Sequence, residues 1–209
     1  MVMPRREKFN FTAIKLCLLF VAVYAAQLFY GFEPGFNASS SPFWKFFTSI
    51  LGHSGLEHLF NNIFFIGLFG SIFERWTSSR TLIGVFVASA LFANLSAFVF
   101  FPNSVIIGAS GGGMGILAAL AVYRPNQIGL ALGVPLPMWA VLGLYVFINV
   151  SGLTAVNSTA YEAHLLGMVV GALVGFNMRE NKDRDQDKEL EKENWRKRIR
   201  EWEDKWMMN

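Results

Sequence analysis

The feature that most constrains how this chain can fold is the scarcity of charge along its central part. Between Phe46 and Met178 only six residues carry a charge, and they are Glu57, Glu74, Arg75, Arg80, Arg124 and Glu162. The stretches between these charges are apolar, and several are long enough to cross a hydrocarbon core, which takes about 20 apolar residues in a helix. The sequence therefore predicts a polytopic membrane protein with most of its chain in the bilayer.

Membrane topology explains the positive charges at the two ends of the chain. The net charge of +3 comes from Lys and Arg clusters outside the apolar stretches, so it does not indicate binding to nucleic acid. At the amino end, Arg5, Arg6 and Lys8 precede an apolar run that continues to Phe32. That run is longer than the apolar region of a signal peptide, so we expect an uncleaved first helix. The single cysteine, Cys17, excludes a disulfide framework.

The apolar segments predict an all-α fold, a bundle of six transmembrane helices. We place the helices at residues 11–32, 56–73, 81–101, 110–123, 135–152 and 161–178. Basic residues occur before helix 1, between helices 2 and 3, and between helices 4 and 5. By the positive-inside rule, both termini are then cytoplasmic. We expect a multi-pass integral protein of the bacterial inner membrane, and the sequence leaves its oligomeric state open.

Composition divides the chain into three parts. Residues 1–10 are predicted to form a cytoplasmic segment, residues 11–178 the membrane domain, and residues 179–209 a charged cytoplasmic helix. The last part has ten basic and ten acidic residues, and its large apolar residues recur at spacings of 4, 3 and 4, at Trp195, Ile199, Trp202 and Trp206. This spacing predicts an amphipathic helix outside the bilayer or at its surface. A solvated helix without a partner and a partner-binding helix both fit the pattern.

The longest external connection, residues 33–55, is not plainly polar. It contains the aromatic residues Phe43, Trp44, Phe46 and Phe47. Aromatic rings are favoured at the interface between lipid and water. We therefore expect this segment to lie partly within the outer interface.

A few polar residues stand within the predicted helices, where polar groups are costly and mark function. His58 and Asn62 are four residues apart on helix 2 and so share one face. Ser110 begins helix 4 within the run Gly108-Ala109-Ser110-Gly111-Gly112-Gly113. His164 begins helix 6, and glycines follow it at spacings of 3, 4 and 4, where another backbone can approach closely.

The predicted depths of these residues are similar. Asn62, Ser110 and His164 lie 12, 14 and 15 residues from the charged residue near the inner end of each span. At the rise of an α-helix, all three lie ~18–22 Å above the inner boundary. In a hydrocarbon core of about 30 Å they then share one layer, ~10 Å below the outer surface. Three helices entering from the same side thus bring Ser, His and Asn to a common level.

These residue types in this arrangement predict nucleophilic catalysis. A serine hydroxyl such as that of Ser110 becomes a nucleophile when a neutral imidazole, here His164, takes its proton. The start of a helix has free backbone N–H groups suited to a developing oxyanion, and Asn62 and His58 can add side-chain donors. The glycines around Ser110 allow a substrate backbone to come close.

The absence of other groups narrows the chemistry. The first aspartate in the sequence is Asp183, so neither a Ser-His-Asp triad nor an aspartyl protease pair can form within the membrane. Glu162 is two residues from His164 and Glu57 is next to His58, so both carboxylates point away from those rings. The sequence has no His-Glu-x-x-His zinc motif. The sequence therefore predicts a Ser-His dyad.

Three motifs together resemble the rhomboid family of intramembrane serine proteases over residues 10–178. They are His53-Ser-Gly-Leu-Glu-His58-Leu-Phe-Asn-Asn62, Gly108-Ala109-Ser110-Gly111 and Ala163-His164-Leu-Leu-Gly167. The resemblance implies a six-helix core that cleaves transmembrane proteins near the outer end of the spanning segment, with no cofactor and with the lipid bilayer as its surroundings.

Carried over by position, the resemblance implies roles for four residues, and the glycines around Ser110 add two candidates. Ser110 resembles the nucleophile and His164 the general base. His58 and Asn62 resemble the side chains of the oxyanion hole, and Gly108 and Gly111 are candidates for substrate binding. The chain departs from the family at Trp44-Lys45 and Ser78, and at Met114, which stands where many members carry an aromatic ring against the imidazole.

Alternatives to these interpretations also fit individual residues. Taken alone, Ser110 is typical of a small packing residue, His164 of a buried histidine bonded to a carbonyl, and Asn62 of an interhelical hydrogen bond. A non-catalytic rhomboid-like protein that binds membrane clients is the main rival function, although such relatives usually lack the serine or histidine. A small transporter would be expected to show paired repeats or charged pathway residues, and the sequence has neither.

Overall fold

Six helices of 14 residues or more account for most of the part of the chain that the structure describes. The structure is a computed structural model and describes residues 9–100, 102–154 and 160–207. Its elements, in chain order, are α1 Thr12–Tyr30, α2 Lys45–Thr48, a 3₁₀ turn Ser49–Leu51, α3 Leu56–Trp76, α4 Ser79–Asn94, α5 Ser96–Val99, α6 Ser110–Tyr123, β1 Ile128–Ala131, β2 Val134–Pro137, α7 Met138–Gly152 and α8 Tyr161–Trp206. The predicted all-α bundle is confirmed. Arg5, Arg6 and Lys8 lie outside the described residues.

Three of these helices are long and apolar enough to cross a membrane by length and composition. They are Thr12–Tyr30, Leu56–Trp76 and the segment Ser79–Val99, which joins α4 and α5. The helices α6 and α7 are apolar but shorter. The predicted number of six spans stays a prediction. The apolar helices are those of an integral membrane protein.

Helix α6 lies at the centre of the bundle. Every residue from Gly111 to Ala121 is buried, and α6 contacts α3, α4, α7 and α8. A helix that is apolar on all sides and carries four glycines can be surrounded by other helices at short distance. The central position of α6 follows from its composition.

Backbone rather than side chains forms the contact between α6 and α8. A Cβ atom built on Gly171 would lie 1.9 Å from the carbonyl oxygen of Gly115, and one on Gly167 would lie 2.2 Å from that of Gly111. A third contact follows one turn later, between Gly175 and Ala119. The close backbone approach predicted for the glycines that follow His164 is therefore present, and the helix they approach is α6.

Glu74 joins the ends of three helices through its buried carboxylate. The carboxylate accepts hydrogen bonds from the backbone N–H of Thr12 at 2.8 and 3.0 Å and of Ala13 at 3.3 Å, at the start of α1. It also accepts one from the Ser79 hydroxyl at 3.0 Å, in the first turn of α4. Backbone N–H groups at a helix start need such acceptors because they have no partner within the helix. Ser78, the departure from the family pattern, accepts from Thr81 N–H as the N-cap of α4.

A β-hairpin that the sequence did not predict replaces the start of the fifth predicted helix. Strands β1 and β2 pair antiparallel, and the turn residues Leu132 and Gly133 both have positive φ, as in a type I′ turn. A leucine at this turn position gives no hairpin signal in the sequence. Helix α7 consequently begins at Met138 and not at residue 135.

The boundary predicted at residue 178 between the last span and the tail is not a break in the structure. Helix α8 runs from Tyr161 to Trp206 without interruption. The sequence from residue 179 to 206 has no proline or glycine and is rich in Glu, Lys and Arg, which are good helix formers. The division at residue 178 into a membrane domain and a charged tail therefore remains a prediction from composition. In the structure one helix belongs to both parts.

The segment between α1 and α3 packs onto the bundle through aromatic rings and backbone bonds. Phe36 and Phe46 are buried and their ring centroids are 5.5 Å apart. Phe36 also exchanges two backbone hydrogen bonds with Ile106. The buried Asn94 donates to the carbonyl of Phe46 and to the hydroxyl of Ser49. Phe43, Trp44 and Phe47 stay exposed, as expected for a segment at the interface.

The glycine contact predicts that Gly171→Ala destabilises the bundle. The added methyl group would overlap the Gly115 carbonyl, so α6 and α8 have to move apart, at a cost of about 1–3 kcal/mol for an overpacked site. The measurement is thermal unfolding of the purified protein in detergent. Gly84→Ala is the matched control, since nothing lies within 4 Å of a Cβ at that position. Equal unfolding midpoints for the two variants would contradict the proposed packing.

Candidate active site

The two residues predicted as nucleophile and base are hydrogen-bonded to each other. His164 Nε2 and Ser110 Oγ are 2.8 Å apart. Neither residue is fully buried. A serine and an imidazole at this distance have the geometry of a nucleophile paired with its general base.

The α6–α8 contact explains why these residues meet. Each is in the first turn of its helix, Ser110 in α6 and His164 in α8. Gly167 lies one turn after His164 and contacts the backbone of Gly111, the neighbour of Ser110. The backbones are in direct contact one turn below the pair, so the distance between the two side chains is fixed by helix packing.

Asn149, near the end of α7, completes a chain of hydrogen bonds. Its Oδ1 lies 2.8 Å from His164 Nδ1, and its Nδ2 donates to the Tyr145 carbonyl at 2.7 Å. An amide oxygen can only accept, so His164 Nδ1 has to carry the hydrogen. The neutral ring then presents an unprotonated Nε2 toward the Ser110 hydroxyl. Asn149 thus selects the tautomer in which His164 can take a proton from serine.

Sequence reasoning missed Asn149, although a signal was available. It is a strongly polar residue within a predicted apolar helix, the same criterion that selected Asn62. It is 1% exposed, which a polar residue tolerates only with its hydrogen bonds made. Without coordinates, the face of the helix that carries Asn149 could not be related to His164.

His58 is oriented so that its Nε2 faces Gly108. Gly108 lies in residues 105–109, the segment before Ser110, which we call the serine loop. The Ser54 backbone N–H donates to His58 Nδ1 at 3.4 Å, and the Ser54 hydroxyl lies 3.0 Å from the same atom. Nδ1 is therefore an acceptor, and the hydrogen of the neutral ring is on Nε2. A Cβ on Gly108 would lie 2.8 Å from that Nε2. The Nε2 edge of the ring thus faces Gly108, two residues before Ser110.

Gly108 has two physical reasons to be glycine. Its φ is +135°, in a region that side chains other than hydrogen rarely allow. The His58 ring also occupies the space that a side chain would need. Its backbone N–H donates to the Ser49 carbonyl at 2.9 Å, which anchors the serine loop to the 3₁₀ turn.

Asn62 is buried one turn after His58 on α3. Its Nδ2 donates to the His58 carbonyl at 2.9 Å, so one of its two amide hydrogens is used within the helix. Ile66, one turn further, lies against Gly113 of α6. Since α3 and α6 run in the same direction, Asn62 lies at the level of Ser110. Its second amide hydrogen is the one that the predicted oxyanion role requires.

Backbone N–H groups at the start of α6 add further donors. Gly113 N–H donates to the Ala109 carbonyl, so Ser110, Gly111 and Gly112 precede the first bond of the helix. The N-cap, Ala109, has no side chain that can accept from them. Gly111 itself is buried against Ala93 of α4, which gives it a packing role. Its predicted contact with substrate stays a prediction, as does that of Gly108.

An aromatic ring contacts the catalytic candidate His164 from its own helix. The rings of Tyr161 and His164 are edge-to-face with centroids 6.4 Å apart. Tyr161 in turn lies against Gly152, where a Cβ would come within 2.4 Å of the ring. Met114, the position at which the sequence departs from the family, is buried in the apolar core. The imidazole is thus enclosed by α7 and by the first turn of α8.

His53 supports the loop before α3. Gln27 bonds both its backbone N–H and its carbonyl at 2.9 Å, and its buried ring lies between Phe20 and His58. Burial, and to a smaller extent His58, lower the pKa of His53 to about 4, so the ring is neutral at pH 7. Within the described ranges no group of three or more His, Cys, Asp or Glu residues is arranged to hold a metal ion.

Fold and site together define a class: a helical membrane protein whose central helix presents a serine to a histidine. The family model for the Rhomboid domain matches residues 40–181, a range that contains all of the predicted site residues. The chain belongs to the rhomboid family, as the resemblance indicated.

Comparison with curated proteins gives distant relatives in eukaryotes. The chain is 36% identical over 75 residues to Rhomboid-like protease 1 of Toxoplasma gondii, covering 35% of the chain and 26% of that protein. It is 27% identical over 142 residues to Rhomboid-related protein 1 of Caenorhabditis elegans, covering 64% and 39%. It is 27% identical over 114 residues to Rhomboid-like protein 11, chloroplastic, of Arabidopsis thaliana, covering 52% and 41%. The chain thus spans less than half the length of these relatives.

The hydrogen bond from Asn149 predicts that Asn149→Leu slows the reaction of Ser110 with a fluorophosphonate probe. We expect a loss of about 10- to 100-fold, the range seen when a metal-bound histidine loses the partner that orients its ring. Asn149→Asp keeps an acceptor for His164 Nδ1 and should retain most of the labelling rate.

Asn177→Leu, at an exposed position of α8, is the control for loss of an amide, and thermal unfolding checks that each variant is folded. Labelling of Asn149→Leu at the wild-type rate would contradict the positioning role.

Proposed function

We propose that this protein is an intramembrane serine endopeptidase that hydrolyses peptide bonds in or near the transmembrane segments of other membrane proteins. The observation that carries the proposal is the chain of hydrogen bonds from Asn149 through His164 to Ser110. Membership of the rhomboid family supports a protease acting on membrane proteins in the bilayer.

In the first half of the reaction Ser110 attacks the substrate. His164 Nε2 takes the hydroxyl proton as Oγ bonds to the carbonyl carbon, and the carbonyl oxygen becomes an oxyanion. The tetrahedral intermediate then collapses as His164 returns the proton to the leaving amine, which leaves an acyl group on Ser110. The imidazolium formed in each step keeps its Nδ1–H bonded to Asn149, whose amide oxygen bears partial negative charge.

In the second half water releases the acyl group. His164 takes a proton from water, the hydroxide oxygen bonds to the acyl carbon, and Ser110 Oγ leaves with the proton returned by the imidazole. Neither Ser110 nor His164 is fully buried as a residue, which supports access of water to the pair. No metal or cofactor is needed for either half of this reaction.

The proposed oxyanion hole combines backbone and side-chain donors. The backbone N–H of Ser110 precedes the first hydrogen bond of α6, and the Nε2–H of His58 faces Gly108. The second amide hydrogen of Asn62 is the third donor. Donors fixed in position before the reaction stabilise the charge that develops in the transition state.

The length of α6 supports a site below the membrane surface. A helix of 14 residues is ~21 Å long, against about 30 Å for a hydrocarbon core. At the end of α6, the Arg124 guanidinium lies over the Trp76 ring at 4.2 Å, a pairing typical of an interface. With that end at one interface, Ser110 lies roughly 10 Å below the other. A transmembrane segment is the peptide substrate that reaches this depth.

Cytoplasmic termini and a bacterial inner membrane remain predictions from the sequence. The alternation of basic residues between connections supports the orientation. The relatives described above are eukaryotic proteins, so they do not identify the membrane.

The proposal predicts that Ser110→Ala abolishes cleavage of a transmembrane substrate. Loss of the nucleophile costs on the order of 10⁶-fold in serine proteases. The measurement is cleavage of a panel of single-span proteins by the purified protein in detergent or liposomes. Ser71→Ala, a partly buried serine on α3, is the matched control and should cleave as the wild type does.

Two outcomes of this experiment are informative in opposite ways. Cleavage that survives Ser110→Ala would overturn the assignment of the nucleophile. Binding of the substrates without cleavage by the wild type would favour the alternative, a non-catalytic rhomboid-like protein that binds membrane clients.

The dyad also predicts covalent labelling that depends on the base. A fluorophosphonate probe should modify Ser110, and His164→Ala should prevent this because the hydroxyl then has no proton acceptor. Intact-protein mass spectrometry measures the adduct. Equal labelling of the wild type and His164→Ala would show that His164 does not activate Ser110.

A further inference from the structure

The carboxyl-terminal part of α8 carries an apolar face on an otherwise charged helix. Trp195, Ile199 and Trp202 are 57%, 38% and 58% exposed, and together with Arg198 they line one shallow groove. Their spacings of 4 and 3 are those of the a and d positions of a coiled coil, and Trp206 follows in the sequence at the next such position. We propose that this face pairs with the same face of a second copy of the chain, as a parallel two-stranded coiled coil.

The charges beside this face fit a second copy. With Trp195 at position d, Glu191 and Arg198 fall at g, while Arg196 and Glu203 fall at e. In a parallel pair each g residue meets the e residue of the following heptad in its partner. Glu191 then faces the Arg196 of the other copy, and Arg198 faces its Glu203. Both pairs are of opposite sign, and each occurs twice by symmetry.

Membrane insertion imposes the parallel orientation. Copies of one membrane protein have the same orientation in the bilayer, so their tails emerge on the same side and point in the same direction. The g–e charge pattern is matched for that orientation.

The apolar face is directed away from the chain's own bundle. Trp195 is 18 residues after Asn177, or about five helical turns, so the two share one side of α8. Asn177 is exposed, whereas Gly171 and Gly175 face α6 on another side of the helix. A second copy can therefore approach this side without displacing the neighbouring helices.

The distance from the membrane argues against lipid as the occupant. Trp195 is 16 residues after Arg179, which is ~24 Å along a straight helix. Arg179 follows the last apolar turn, so the apolar face lies well beyond the headgroups. The seam is short, because the preceding d and a positions are Lys188 and Lys192. Such a short pair is marginal in free solution, but shared confinement in one membrane raises the effective concentration of the partner.

Cross-linking of the full chain in membranes tests the pairing. In a Cys17→Ser background, Ile199→Cys should form a cross-linked dimer with a short bismaleimide. Lys197→Cys, on the outer side of the proposed pair, should form none under the same conditions. Absence of cross-linking at residue 199 would overturn the proposal. Protection of that cysteine from a water-soluble maleimide without cross-linking would overturn it in favour of lipid contact.

Charge reversal tests the predicted register. Arg198→Glu or Glu203→Arg alone places like charges opposite each other twice in the dimer, which should weaken association about five- to tenfold. The double variant restores both pairs and should recover wild-type association. The measurement is energy transfer between donor- and acceptor-labelled copies in liposomes, with Arg200→Glu as a control outside the seam. Equal weakening by the single and double variants would overturn the parallel register.

Discussion

The direct contact between the backbones of α6 and α8 is the interaction on which the rest of the structure depends. Gly171 and Gly167 face the carbonyl oxygens of Gly115 and Gly111 with no room for a Cβ atom. Within lipid, helices gain little from apolar burial, so close van der Waals contact of this kind has to hold them together. The same contact sets the separation of Ser110 and His164 one turn above it.

Three buried polar residues of the bundle each bond a backbone group of another element or of their own helix. Glu74 accepts from the start of α1, Asn94 donates to the loop at Phe46, and Asn149 donates to Tyr145. An unpaired polar group would be costly at these depths. Asn149 has a further atom, Oδ1, that lies 2.8 Å from His164 Nδ1 after this requirement is met. This side chain thus bonds both a helix backbone and the imidazole.

Much of the fold could be predicted because apolar length and charge placement are local signals. The long helices α1, α3, α6 and α7 begin and end within a few residues of their predicted positions. The hairpin was missed because Leu132 in a left-handed turn has no sequence signature. The continuity of α8 was missed because the change from apolar to charged composition at residue 179 was read as a boundary. The backbone of a helix continues across such a change when no breaker interrupts it.

The site was predictable where motifs and depth coincided, as for Ser110 and His164. Their geometry in the structure agrees with a dyad, while their chemical roles remain for experiment. Asn149 was not predicted because its role depends on which face of α7 packs against α8. The sequence does not show how two helices that are separate in the chain face each other. The contact of Tyr161 with His164 escaped for a similar reason, since it depends on Gly152 of the neighbouring helix. Sequence reasoning identified the hydrogen-bonded pair, Ser110 and His164, but not the residues that contact the imidazole.

The hydrogen-bonded residues Asn149, His164 and Ser110 lie on three different helices, α7, α8 and α6. The site can therefore form only after these helices have packed together. Ser110 has no hydrogen-bonded imidazole until the segment that carries His164 has docked against α6. Partly inserted chains would therefore be chemically inert toward their neighbours. Under the proposed mechanism, the reactivity of Ser110 therefore requires that α6, α7 and α8 have assembled.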